Sequence, residues 1–184
     1  MKTWITSDLH FGHANILKFN PATRQFKDAD HMNAEMIRMW NEFVAPGDLV
    51  YILGDVAFCN TPKAVSIMRS LNGSKILVSG NHDTKLLKDA SFRACFDEVH
   101  SYLTVNYNGT RVSMFHYPIH EWDQCHRGAV HFHGHVHGKH TGLERYRVRD
   151  AGMDATGRVV TLMEDLIRDA LRGQIKAHGD GEQV

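Results

Sequence analysis

The sequence of 184 residues is poor in cysteine, and neither sign of charge is in excess. Its three cysteines, Cys59, Cys95 and Cys125, are far apart and form no C-x-x-C pair, so a disulfide framework and a cysteine-rich zinc site are both disfavoured. Lys and Arg together number 21, as do Asp and Glu. This balance gives no overall basic field, and hence no strong signal for nucleic-acid binding.

The opening MKTWITSDLH does not resemble a signal peptide, and the sequence shows no apolar run long enough to span a bilayer, so we expect neither feature. We therefore expect a cytoplasmic protein with reduced thiols and no membrane partner. Hydrophobic residues make up 42% of the chain, which is enough for a core, and the length favours one domain. We predict a single domain over residues 1–176 and a flexible C-terminal tail over residues 177–184.

Histidine is the residue that is present in excess. The chain has 14 histidines, and six of them lie between His126 and His140. Imidazole is the commonest metal ligand in proteins and a frequent acid or base in catalysis. Because this cluster is internal and alternates with apolar residues, it differs from a tag or a histidine-rich tail, and it points to a metal or catalytic site.

The apolar pattern predicts a βαβαβ arrangement in the first half of the chain and mostly strands in the second half. We expect one amphipathic helix over residues 28–44 and another that runs to Ser70, with Thr61 as its N-cap and Pro62 as its first helical residue. Asn108-Gly109 predicts a hairpin turn. The predicted strands cover residues 2–7, 49–53, 75–78, 101–107, 111–115, 130–135 and 145–149, and a last helix covers residues 162–171.

Polar clusters follow five of these strands at the point where each strand ends. They are Asp8-Leu9-His10, Gly54-Asp55, Gly80-Asn81-His82-Asp83, His116 and Gly134-His135-Val136-His137. Because ligands gather beyond the carboxyl ends of parallel strands, we expect these clusters to meet in one place. Each cluster alone has a structural alternative: a turn, a helix cap, a surface histidine or a hydrogen-bonded core histidine.

The ordered set of clusters resembles the signature of the calcineurin-like metallophosphoesterases, from Asp8 to His137, and the opening SDLHFGH is similar to small bacterial and phage members. The resemblance implies an α/β fold in which a β-sandwich is flanked by helices in an αββα order. It also implies two divalent metal ions as cofactors. Mixed imidazole and oxygen ligands fit Mn, Fe, Zn, Co or Ni, and of these we expect Mn.

By that resemblance, Asp8, His10 and His137 would bind one ion, and Asn81, His116 and His135 would bind the other. Asp55 would bridge the two ions, since a carboxylate has two oxygens to share. His82 would donate a proton to the leaving oxygen or stabilise transition-state charge. Asp83 would orient or charge-stabilise the His82 imidazole, and it could also cap the helix that follows, since the two roles are compatible.

The resemblance implies a phosphoesterase in which a metal-bridging hydroxide attacks phosphorus. We expect a phosphodiesterase that acts on small, nucleotide-like phosphate esters; a phosphomonoesterase, a nuclease and a non-enzymatic scaffold are the alternatives. Phe58 stands where many relatives carry an acid. His13, Asn60 and Tyr117 flank the motifs as substrate-binding candidates, with a surface or packing role as the alternative for each. The sequence leaves the oligomeric state open.

Overall fold

The computed structural model describes residues 1–177, and within this range the chain forms nine strands in two sheets. The first sheet has the order β4-β3-β2-β1-β9, with β9 antiparallel to β1 and the other neighbours parallel. Its strands are β1 (Thr3–Thr6), β2 (Leu49–Ile52), β3 (Ser74–Val78), β4 (Glu98–His100) and β9 (Thr161–Leu162). The parallel strands β1, β2 and β3 therefore end at the same edge.

The second sheet has the order β5-β6-β7-β8. It begins with an antiparallel hairpin that turns at Asn108-Gly109, as predicted, and continues with parallel pairs. Its strands are β5 (Tyr102–Tyr107), β6 (Thr110–Phe115), β7 (Val130–His133) and β8 (Val148–Asp150). Because β6 and β7 are parallel, the polar residues that follow them also meet at one edge.

Six α-helices lie within residues 1–177: α1 (Ile16–Phe19), α2 (Ala29–Phe43), α3 (Thr61–Ser70), α4 (Ala90–Arg93), α5 (Met153–Thr156) and α6 (Met163–Ala170). Single 3₁₀ turns cover Leu86–Lys88 and Cys125–Arg127. The predicted N-cap of α3 is wrong by one residue. Asn60 is the cap, because its backbone is extended and its side chain accepts a hydrogen bond from the N–H of Lys63 at 3.0 Å.

Two hydrophobic cores lie on opposite faces of the first sheet. Trp4 of β1 packs with Met36 and Trp40 of α2 in the outer core. Its neighbour Ile5 points the other way and joins Phe132 of β7 in the core between the sheets, which α6 also enters. This alternation along a strand gives the layers of the molecule, and the predicted architecture of two sheets flanked by helices is confirmed.

The outer face of the second sheet is covered by the segment 116–129, where the Trp122 ring stacks on that of His131 at a centroid distance of 5.7 Å. The strands β4 and β9 and the short helices α1, α4 and α5 were absent from the sequence-based expectation. Among residues 1–177, none of the helices has the length and apolar content needed to cross a membrane. The single-domain boundary stays a prediction, and residues 178–184 of the predicted tail lie outside the described residues.

Candidate metal centre

All seven predicted ligands meet at the edge where β1, β2, β3, β6 and β7 end. Asp8 and His10 follow β1, Asp55 follows β2, Asn81 follows β3, His116 follows β6, and His135 and His137 follow β7. Their donor groups therefore come from both sheets.

The first subsite is formed by Asp8, His10 and His137. Nε2 of His10 and Nε2 of His137 each lie 3.8 Å from Oδ1 of Asp8. Both Oδ1 of Asp8 and Nε2 of His10 are buried without a hydrogen-bond partner. A buried carboxylate oxygen and a buried imidazole nitrogen that face each other unpaired are costly. A bound cation would satisfy both atoms, so these three residues fit a divalent metal.

Asp55 connects the first subsite to the second. Its Oδ2 lies 3.7 Å from Nε2 of His10, whereas its Oδ1 lies 3.6 Å from Nε2 of His116. Nε2 of His116 also lies 2.9 Å from Oδ1 of Asn81. The His135 ring lies beside that of His116, with their centroids 5.2 Å apart. The two oxygens of Asp55 thus face different groups of ligands, as a shared carboxylate would.

The backbone of most of these ligands lies in the left-handed region. The φ angles are 54° for Asp8, 53° for His10, 53° for Asp55, 70° for His135 and 52° for His137. Among the non-glycine residues of the described range, only Asn108 and Gln124 share this conformation. Each such residue costs about 1–2 kcal/mol, and strain of this kind persists where the surrounding structure enforces it, often at functional sites.

Asp83 supplies part of that enforcement. Its Oδ2 accepts hydrogen bonds from the N–H groups of Asp55 (2.9 Å) and Gly80 (2.8 Å), and its Oδ1 accepts one from Val56 (2.9 Å). In the contacts that the structure describes, both oxygens of Asp83 are used by these backbone bonds. The prediction that Asp83 orients the His82 ring, or caps a helix after it, is therefore wrong for these contacts. The chain turns this buried carboxylate towards the backbone amides, and it fixes the loops that carry Asp55 and Asn81.

Close backbone approach also holds the ligands. A Cβ atom on Gly134 would come within 1.9 Å of Oγ of Ser7 and 2.3 Å of Oδ2 of Asp8. The N–H of the next residue, His135, donates to that same Oδ2 at 2.9 Å. Glycine is therefore required before His135, because any side chain would displace the carboxylate of Asp8.

The electrostatics of the first subsite suit cation binding. Burial alone would raise the pKa of Asp8, but the neighbouring histidines outweigh it and lower that pKa. Burial lowers the pKa of His10. Near neutral pH, Asp8 is thus ionised and His10 is neutral, which are the protonation states of metal ligands.

His82 lies on the exposed side of this centre. Its N–H donates to Oδ1 of Asp55 at 3.0 Å, and its side chain lines a groove of about 650 Å³ together with Phe58, Asn60 and Lys85. The Phe58 ring stacks on that of His13 at 4.2 Å. It also lies 4.7 Å from the His10 ring and 4.6 Å from the His82 ring. Phe58 therefore gives this side of the centre an aromatic wall.

The other substrate-binding candidates also border the centre. His13 is half-buried beside His10, with their Nδ1 atoms 3.0 Å apart. The Tyr117 ring is exposed beside that of His135 at 4.6 Å. Asn60 faces the groove while its side chain caps α3. Their role in substrate binding stays a prediction.

Two further residues at the centre, Arg24 and Asp154, were missed by sequence reasoning. Both side chains are buried, and they form an ion pair at 2.9 Å behind the candidate ligand His137. They are 130 positions apart in the chain, and neither belongs to a motif of recognisable spacing. A buried Arg shows no signal in the sequence, because Arg is mostly exposed in proteins.

The fold and site together define a two-sheet α/β protein with clusters of histidines and carboxylates that could hold a metal ion. Residues 1–151 match the model of the calcineurin-like phosphoesterase superfamily domain. The chain belongs to this superfamily, as the sequence motifs indicated. The superfamily is metal-dependent, and membership supports a phosphoesterase hydrolase activity.

Several relatives have a similar extent. An uncharacterised protein of Methanocaldococcus jannaschii is 33% identical over 147 residues, which cover 79% of this chain and 73% of that protein. The gene 66 protein of Mycobacterium phage D29 is 27% identical over 199 residues, covering 92% and 98% respectively. Among solved structures, a protein of unknown function from Aquifex aeolicus is 26% identical, with a TM-score of 0.71 and coverage of 91% and 98%.

Proposed function

We propose that the protein is a phosphodiesterase that works with two divalent metal ions, of which Mn is favoured, and that its substrate is a small, nucleotide-like phosphate ester. The observation that carries the proposal is the position of the Asp55 carboxylate. Its two oxygens lie 3.7 Å from His10 and 3.6 Å from His116, so that one residue faces both groups of ligands. A site for one ion would not need a carboxylate whose two oxygens face different groups of ligands.

Bound metal ions would supply Lewis-acid activation of the phosphate and lower the pKa of a coordinated water. The chain itself contributes the anionic Asp8 and Asp55, which hold the cations, and the neutral Asn81, which adds no charge and leaves the site positive for an anionic substrate. His82 would protonate the departing alcohol oxygen, since its side chain is exposed at the mouth of the centre and its backbone is tied to Asp55 at 3.0 Å.

The groove beside His82 suits a bulky leaving alcohol. A proton donor lies on the side from which the alcohol departs, so the groove of about 650 Å³ would hold that leaving group. Phe58 provides a flat apolar wall, and Asn60 and Lys85 provide polar groups at its rim. A nucleoside-like group, with a planar ring and hydroxyls, suits this lining. The neutral charge of the whole chain supports a small ester as the partner, rather than a nucleic acid.

The test is a comparison of substrates with metal-quantified protein. Purified enzyme would be assayed with bis(p-nitrophenyl) phosphate, p-nitrophenyl phosphate and a cyclic nucleotide, each with Mn, Ni or Zn. We expect the diesters to have the higher kcat/KM and a chelator to abolish their turnover. A preference for the monoester would overturn the diester assignment, and full activity after chelation would overturn metal dependence.

The matched variants are Asp55→Asn and, as a control, Asp123→Asn, which changes an exposed carboxylate paired with Arg111. Asp55→Asn is expected to weaken the binding of both ions and to abolish turnover, whereas Asp123→Asn should keep both properties. Unchanged hydrolysis of the chromogenic diester by Asp55→Asn would contradict its bridging role. The cytoplasmic location is a separate prediction, which cell fractionation would check.

A further inference from the structure

A buried carboxylate lies directly behind one of the candidate ligands. Oδ2 of Asp154 is 2.7 Å from Nδ1 of His137, and the side chain of Asp154 is only 1% exposed. The other ring nitrogen, Nε2, lies 3.8 Å from Oδ1 of Asp8 in the first subsite. Nδ1 of the imidazole thus faces the carboxylate, with the amide nitrogen of Asn20 also 3.1 Å away, and Nε2 faces the position of a cation.

Asp154 is itself held from several directions. Arg24 donates to its two oxygens from Nε and from one terminal nitrogen, both at 2.9 Å. The Thr23 hydroxyl donates to Oδ1, and the amide nitrogen of Asn20 lies 3.1 Å from Oδ2. A bidentate ion pair between a guanidinium and a carboxylate fixes the plane of the acid as well as its distance. The position of Asp154 is therefore well defined.

Arg24 connects this acid to the backbone of the same subsite. Its terminal nitrogens donate to the carbonyl oxygen of Asp8 at 2.6 Å and to that of Leu9 at 3.1 Å. The Arg24 side chain is fully buried, and these bonds use donors that would otherwise be unsatisfied. One guanidinium thus ties the backbone of Asp8 to Asp154, the acid that supports His137. Asp8 and Asp154 lie far apart in the chain.

We propose that Asp154, held by Arg24, is a positioning residue that sets the metal affinity of the subsite formed by Asp8, His10 and His137. The inference rests on the proposed metal centre. A carboxylate at Nδ1 keeps the ring proton on that nitrogen and leaves the lone pair of Nε2 free for a cation. It also makes the imidazole a stronger base, and hence a better ligand.

The effect should be confined to one subsite. Nδ1 of His116, in the second subsite, lies 2.7 Å from the carbonyl oxygen of Leu53, a neutral acceptor. Within residues 1–177, the charged contacts that lead from Asp154 to His116 pass through His137, Asp8, His10 and Asp55, so Asp154 acts on the second subsite only at a distance. Loss of the Asp154 charge should therefore weaken the binding of one ion and leave the other nearly unchanged.

Asp154→Asn is the direct test. The amide has the shape of the acid but no charge, so it leaves the His137 imidazole a weaker base, and its NH₂ group would oppose a donor of Arg24. Metal-free protein would be titrated with Mn²⁺ alone, by calorimetry and by electron paramagnetic resonance. We expect one class of site to bind about 10–100-fold more weakly, as for other partners of ligand histidines, with the second class changed little.

The control is Asp169→Asn. Asp169 lines the same cavity as Asp154 and pairs with an arginine, Arg149, at 2.5 Å. This variant loses a carboxylate from an arginine pair but should bind Mn²⁺ as the wild type does. Thermal melting of the metal-free proteins would check that each variant folds. If Asp154→Asn does not fold, Arg24→Lys takes its place, because it keeps the charge but loses the bidentate ion pair. It should weaken Mn²⁺ binding at the same class of site.

A double-mutant cycle separates positioning from general damage to the structure. If Asp154 acts through His137, then Asp154→Asn should cause no further loss of Mn²⁺ affinity in a His137→Ala background. An equal loss in both backgrounds would overturn the proposal, as would wild-type affinity of Asp154→Asn or of a folded Arg24→Lys at both classes of site. A wild-type protein that binds no Mn²⁺, Zn²⁺ or Ni²⁺ would instead overturn the proposed function together with this inference.

Discussion

The substitution Asp83→Asn tests how the centre is built, because Asp83 is a buried carboxylate without an unused oxygen. It accepts three backbone hydrogen bonds, from Asp55, Val56 and Gly80, at 2.8–2.9 Å. An asparagine side chain has only one acceptor atom. Its oxygen can replace Oδ2, which accepts two of the bonds. Its NH₂ group then faces the N–H of Val56, and two donors oppose each other.

The expected loss of folding stability follows from the number of hydrogen bonds that the substitution removes. A hydrogen bond to a charged acceptor contributes about 1.5–3 kcal/mol, and Asp83→Asn loses at least one of three. For a chain of this length, 1 kcal/mol corresponds to a change in Tm of about 2–4 °C. We therefore expect the Tm to fall by roughly 3–12 °C. Since Asp55 and Asn81 lie on the loops that Asp83 joins, metal affinity should fall as well.

Differential scanning calorimetry and Mn²⁺ titration would measure the two effects. Asp28→Asn is the matched control, because Asp28 caps α2 with one bond to the N–H of His31 at 2.8 Å, and Asn is an equally good cap. Its Tm should be unchanged. A variant Asp83→Asn with wild-type Tm and metal affinity but a reduced kcat would refute this reasoning, and would restore the prediction that Asp83 serves the His82 ring.

Three further predictions concern the centre. His82→Ala should keep its metal but lose about 2.7–4 kcal/mol of transition-state stabilisation, seen as a lower kcat; loss of metal would make His82 a ligand. Removing metal from the wild type should lower its Tm by roughly 5–11 °C relative to protein with Mn²⁺ at 100 times its Kd, because binding at that concentration stabilises the folded state by about 2.7 kcal/mol. An equal Tm with and without metal would argue against a resident cation. Phe58→Ala should raise the KM for aryl diesters about 5–150-fold, from about 1–3 kcal/mol of lost stacking, whereas the exposed Phe43→Ala should not.

The meeting of the seven candidate ligands could be predicted from the sequence because each of them follows a strand with a clear apolar pattern. Thr3–Thr6 and Leu49–Ile52 are short and apolar, and the residues after them carry the chemistry. Parallel pairing of these strands then brings Asp8 and Asp55 together, so a local pattern and one rule of topology suffice. The strand β9 gave no such pattern, because it has two residues and pairs only over Trp4 and Ile5.

The supporting residues could not be predicted, because their partners are distant in the chain. Arg24 and Asp154 are 130 positions apart, and the contact exists only once β8 and α5 have brought Asp154 behind His137. Asp83 shows a different limit. Its neighbour His82 suggested one partner, but the backbone turns the carboxylate towards Asp55, which lies 28 positions earlier. Adjacency in sequence says little about where a side chain points in a loop.

The left-handed backbone conformation of the candidate ligands should lower the folding stability of the metal-free protein, and this effect can be measured at His135. This residue is exposed and has a φ of 70°, so loss of its side chain removes few contacts. Glycine adopts this conformation freely, whereas alanine is strained by about 1–2 kcal/mol, partly offset by the greater entropy of unfolded glycine. Without metal, His135→Gly should therefore be more stable than His135→Ala by about 1 kcal/mol.

The matched pair is at His100, a partly buried residue of β4 whose φ is not positive. There the order should reverse, with His100→Ala more stable than His100→Gly, because glycine weakens a strand. Urea unfolding of the four metal-free variants would give both differences. If alanine were the more stable substitution at both positions, the His135 backbone would not be strained in solution. The left-handed conformation could then not be counted as a cost that metal binding has to offset.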